Sequence, residues 1–315
     1  WIKKRLFEKK SYLFLRIFQD FMLKIINSRI SIICISLIAS YFLSDTYENI
    51  LGFILILSIG VVHGANDLII IKKYSKKETK RSEALYFFYY LAIVLLGFVF
   101  FYVFPSIALL TFVIVSIYHF GEQHWEVNLS KSESVVRNKI FLFIFHGIIF
   151  FIIIFMNNLK IVNEVLSSFN VNPLEHYYLV LALIVFSILY SLFILYLKNL
   201  RKYLFNEAVF FSLLFLLTIN TTLIFGFAIY FIFFHSLLSI KDQIKFIYDG
   251  DNPKNIKKYI ITSMPYFILA LTFLLIFYIV VDLETINLLP IIFTFLAAIT
   301  FPHVLVIEKM YRHMK

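Results

Sequence analysis

Five of the eight histidines, His63, His119, His146, His235 and His303, each lie inside a different apolar stretch of the chain. An ionisable ring in hydrocarbon is costly and needs a partner, so an intramembrane histidine is first of all a functional candidate. One such residue can serve as a hydrogen bond between helices; five in one layer suggest a metal site built between helices. The layer follows from spacing. His63 stands nine residues before Lys72, His146 seven after Lys139, and His235 and His303 six before Lys241 and Lys309. His119 is six residues before Trp125, near the same interface. At ~1.5 Å per residue, these side chains fall roughly 9–14 Å inside the cytoplasmic helix ends. His176 and His313 fall in a loop and in the tail, where they are expected to be solvated.

The elements that must hold these rings follow from composition. The 315 residues are 61% hydrophobic and 15% charged, with 39 Phe, which excludes a soluble domain. Apolar runs of about 20 residues match what a bilayer core of ~30 Å asks of a helix, and the short alternating segments of a barrel are absent. The fold class is therefore all-α, a polytopic transmembrane bundle of about ten spans: 30–44, 48–71, 84–104, 107–125, 138–157, 176–197, 204–219, 222–241, 259–281 and 288–308. The first and seventh are short. The single cysteine, Cys34, excludes an intrachain disulfide and a Cys-ligated zinc or iron–sulfur site.

With these spans, every Lys and Arg except Lys160 falls on one side, which the positive-inside rule makes the cytoplasm, with both termini there. The net charge of +10 then belongs to loops facing anionic lipid and calls for no nucleic-acid partner. Residues 1–29, with Phe7, Phe14, Phe18 and Phe21 among basic residues, read as a basic amphipathic segment on the membrane surface. Residues 30–315 read as a single transmembrane domain with an intramembrane metal site and a short cytoplasmic tail. No small-residue cleavage site follows a short apolar core, so a cleavable signal peptide is not expected. The chain starts at Trp1, and an initiator methionine is expected upstream of it.

Neighbours refine the candidate site. In His63-Gly-Ala-Asn-Asp67 the carboxylate of Asp67 shares a helical face with position 63 and can orient an imidazole. Gly64 allows another helix or a ligand to come close. In His119-Phe-Gly-Glu-Gln-His124, Glu122 is better placed than His124 to share the face of His119. Asp242 and Glu308 read as interfacial carboxylates. Imidazole suits iron, copper and zinc, and the scarcity of carboxylates argues against magnesium or calcium. Dense HxxxH and HxxHH clusters of membrane desaturases are missing, as are the paired Glu-x-x-His motifs of di-iron bundles. A mononuclear all-histidine site remains, with open positions for dioxygen.

At this point HGAND (His63–Asp67), YHFGEQ (Tyr118–Gln123), FHSLLS (Phe234–Ser239) and PHVLVIE (Pro302–Glu308) resemble, in order, the motifs of the Brp/Blh family. His146-Gly147 matches a further HG pair of that family. These are integral-membrane beta-carotene 15,15'-dioxygenases of bacteria and archaea. The resemblance implies cleavage of the central double bond of beta-carotene by dioxygen to give retinal, a multi-pass protein of the bacterial inner membrane, and a functional link to a microbial rhodopsin. It also implies Fe(2+) held by His63, His119, His235 and position 239. Position 239 is Ser here, a poor ligand for ferrous iron. His124, His303 or a water are the candidates for that place, and His146 is an auxiliary or supporting residue. The rival reading is a transporter or a silent carotenoid or retinoid carrier, in which these histidines, Asp67 and Glu122 relay protons.

Overall fold

The structure is a computed structural model that describes residues 29–75, 80–129, 138–280 and 288–314. The basic segment expected over residues 1–29 lies, apart from Arg29, outside them. The described chain is helical: α1 (Arg29–Phe42), α2 (Asp45–Ser75), α3 (Lys80–Val103), α4 (Pro105–Asn128), α5 (Ile140–Asn157), α6 (Leu159–Ser168), α7 (His176–Tyr196), α8 (Leu204–Ile219), α9 (Leu223–Tyr248), α10 (Pro253–Val280) and α11 (Leu288–Met314). Among the described residues, nine helices are long and apolar enough to cross a membrane, α8 counting the 3₁₀ turn Lys198–Tyr203 before it. The chain is a multi-pass membrane protein.

The structure differs from the expectation at two elements. The first expected span, α1, has 14 residues, or ~21 Å of helix against a ~30 Å hydrocarbon core. It lies beside α8, where Ser40 Oγ donates to the carbonyl of Asn220 at 2.8 Å. The second is α6, which occupies what reads in sequence as a connection. Its Asn163 and Glu164 interrupt the apolar run, yet Val162 and Val165 are buried.

Local chemistry fixes where the helices start and cross. Pro105 opens α4, where its missing N–H costs nothing. The Thr222 hydroxyl caps α9 by accepting from the Phe225 N–H, and the Thr222 N–H donates to buried Glu48 at the start of α2. These contacts pin the ends of α2 and α9 together on the side away from the histidines. Two glycines set the closest crossing. A Cβ on Gly121 of α4 would run into the backbone of Phe143, and one on Gly147 of α5 into the carbonyl of Ile117. Small residues are what allow such backbone contact between membrane helices. Gly147→Leu should therefore cost well over the ~1–3 kcal/mol of ordinary overpacking, lowering both yield and melting temperature in detergent. Gly250→Ala, whose Cβ would meet nothing closer than Asn255 Nδ2 at 3.9 Å, should leave both unchanged.

Candidate metal centre

Two helices change their winding where they carry histidines. Residues Ile56–Gly60 of α2 and Phe231–Ser236 of α9 are π-helical, and a Cβ on Gly60 would clash with the Phe231 ring. Such widened turns re-aim side chains and recur at functional sites. They bring His63 and His235 to face each other with ring centroids 5.0 Å apart. His119 from α4 closes the group, 4.8 Å from His235 and 6.5 Å from His63 between ring centroids. One ring nitrogen from each of the three falls within 4.8 Å of the others, and all three residues are buried.

His303 of α11 joins this trio. Its Nε2 lies 2.8 Å from His63 Nε2, and its ring centroid is 5.3 Å from that of His119. Its Nδ1 lies 2.9 Å and 3.0 Å from the two oxygens of Asp67, which also accepts from Tyr90 Oη at 2.8 Å. A carboxylate at Nδ1 fixes that proton there and leaves Nε2 with its lone pair toward His63. Asp67 thus orients the imidazole of His303 on another helix. Gly64 lies against this ring, and a Cβ there would stand in ordinary contact with His303 Nδ1 at 3.7 Å.

The chemistry of the donors fits a soft-to-borderline metal ion. Both ring nitrogens of His119 and Nδ1 of His235 are buried without a hydrogen bond. Buried polar atoms are rarely left so, and a ligand is one of the few explanations. Phe120 and Phe231 pack on His235, at 4.6 Å and 5.5 Å between centroids, and hold its plane.

Ser239, four residues after His235, is buried and accepts from Gln243 Nε2 at 3.1 Å. The same amide reaches the His63 carbonyl at 3.0 Å, and Tyr259 Oη donates to Gln243 Oε1 at 2.7 Å. Sequence reading missed Gln243 and Tyr259, because neither belongs to a recognisable spacing. Ser239→His would restore an imidazole on the face of His235 and displace this amide. We expect it to raise metal retention against a chelator, which titration of the purified protein would read; unchanged retention would place position 239 outside the coordination shell.

His124 and His146 lie elsewhere. Their rings stack at 3.8 Å, and Nε2 of His124 and Nδ1 of His146 approach the two oxygens of Glu207 on α8 at 2.7 Å and 3.2 Å. Tyr190 Oη donates to Glu207 at 2.8 Å and accepts from Trp125 Nε1 at 3.1 Å. The network ties α4, α5, α7 and α8 together, and its three ligand-type residues form a second group with metal-binding potential. Glu207 was also missed, although a carboxylate inside an apolar span was the available signal. Glu122 accepts from Tyr118 Oη at 3.0 Å, within its own helix. Asp242 accepts from Tyr311 Oη at 3.1 Å, and Glu308 pairs with Arg312 in the last helix.

A family model described as Beta-carotene 15,15'-dioxygenase matches residues 54–311, which hold every histidine of the chain except His313. The chain belongs to that family. Membership carries the general activity, dioxygenation of beta-carotene, and with it a carotenoid and dioxygen as reactants. No curated protein and no solved structure matches the chain.

Proposed function

We propose that the protein is an iron(II)-dependent oxygenase that cleaves the central double bond of beta-carotene inside a bacterial inner membrane, giving two molecules of retinal. The observation that carries this reading is the meeting of His63, His119, His235 and His303 on the lining of one apolar cavity. That cavity measures about 160 Å³ and is walled mainly by Phe, Leu, Ile and Val. Such apolar walls match a hydrocarbon ligand.

His63, His119 and His235 would hold the iron as neutral imidazoles, with His303 on the fourth side. Bound there, iron(II) would supply the electronic chemistry that lets dioxygen react with an alkene. The reaction balances without an outside reductant: one C=C and one O₂ become two C=O groups, so both oxygen atoms end in product. The chain's own part is positioning. Apolar walls hold the polyene and exclude water, the Phe rings can stabilise positive charge on the polyene, and Asp67 keeps the His303 ring turned toward His63.

The test is expression in bacteria that accumulate beta-carotene, with chromatography of the extract. The pigment should bleach and retinal should appear. Persistent pigment alongside folded, iron-loaded protein would overturn the reading in favour of a carrier.

A further inference from the structure

The cavity extends from the histidines in one direction only along its helices. On α2 it runs back from His63 to Phe53, on α4 from His119 to Leu109, on α9 from His235 to Leu223, and on α11 from His303 to Leu289. These separations of ten, ten, twelve and fourteen residues correspond to a depth of about 15–21 Å at the helical rise. The far part of the lining includes Val162, Val165 and Leu166 of α6, the one short helix that contributes to it. At 10 residues α6 is too short to span. It follows α5 on the side away from the histidines, where buried Val165 packs with Leu109, Phe169 and Ala297.

Beyond the histidines lies a layer of buried polar side chains, several of them hydrogen-bonded to one another. Gln243 bonds to Ser239 and the His63 backbone, Tyr259 donates to Gln243, and Tyr311 Oη donates to Gln123 Oε1 at 2.7 Å. A hydrocarbon pushed through this layer would strip buried polar groups of their partners, which is costly because nothing replaces those hydrogen bonds. The polyene therefore does not continue straight past the histidines.

We propose that the cavity is a seat for one ring-bearing half of the carotenoid, with α6 as its depth stop and Val162 and Val165 as the residues that select the bond cleaved. The inference rests on the cleavage reading above. A conjugated chain advancing ~1.2 Å per bond over about nine bonds, plus a six-membered ring, measures about 15 Å. A ring resting on α6 thus brings the central double bond to the histidines, while the other half leaves at an angle. After cleavage, the retained C20 aldehyde keeps its ring on α6 and its carbonyl at the histidine end.

The experiment compares the wild type with Val165→Phe, Val162→Phe and the milder Val165→Leu, each as the full chain in lipid nanodiscs. Product lengths are read by chromatography, and binding of retinal and of a C15 ring-bearing aldehyde is measured separately. A raised stop holds the ring nearer the histidines, so the fragment left in the seat should fall below C20 and its partner rise above it. Val165→Phe should weaken retinal binding about tenfold and leave the C15 aldehyde unaffected, since only the longer molecule needs the full depth. Val165→Leu should do the same to a lesser degree, and it decides the matter if the Phe variants do not fold. C20 as sole product, with retinal affinity unchanged in the folded variants, would overturn the depth stop. A wild type that forms no aldehyde from beta-carotene yet binds retinal more tightly than Val165→Phe would overturn the cleavage reading and leave the seat standing.

Discussion

Replacing His63, His119 or His235 with alanine should bring both bound iron and retinal formation down to background. Each ring offers a nitrogen to the same small volume, and His119 has no other use for either of its own. Losing a mere supporting partner of a metal ligand already costs about 10–100-fold, so loss of a ligand should exceed about a hundredfold. Metal analysis of purified protein, beside retinal yield at matched expression, checks this. His124→Gln is the informative control. Its amide can still donate to Glu207, so the network between α4 and α8 survives while a ring is removed. If His124 and His146 serve the second group alone, this variant keeps its iron. Normal iron in all three alanine variants, or loss of iron in His124→Gln, would move the centre to the other group.

Asp67→Asn should weaken iron binding about 10–100-fold, although Asp67 itself need never touch the metal. The substitution keeps the size of the side chain but removes the charge that fixes the Nδ1 proton of His303. That ring could then donate from Nε2 and would no longer present a lone pair beside His63. Tyr90→Phe removes one hydrogen bond from the same carboxylate and should cost only about 1 kcal/mol, or roughly fivefold. Iron retention through a graded series of chelators separates the two. Equal retention in Asp67→Asn and the wild type would mean that His303 is not held as a ligand.

Helix number and membrane character were legible because both follow from local composition, which no long-range contact can override in a bilayer. The weak points were where composition is ambiguous. α1 is apolar but short, and α6 is too short to span yet long enough to bury Val162 and Val165. Depth was legible for the same reason, since counting from basic residues fixes how far along a helix a histidine lies. Counting does not fix which way a side chain points around the helix axis. His146 shares the layer of the other four but faces Glu207 across α5 and α8.

By itself, then, the sequence determined a membrane bundle, a layer of buried imidazoles and, through its ordered motifs, the family. Only the tertiary structure decided the partners. It turned Asp67 toward His303 rather than along its own helix, sorted the histidines into two groups, and set Gln243 beside Ser239. It also placed α6 at the far end of the cavity. The physical reason is that such pairings depend on helix rotation and crossing. These are set by the π-helical turns in α2 and α9 and by the glycine contacts of α4 with α5, between residues far apart in the chain.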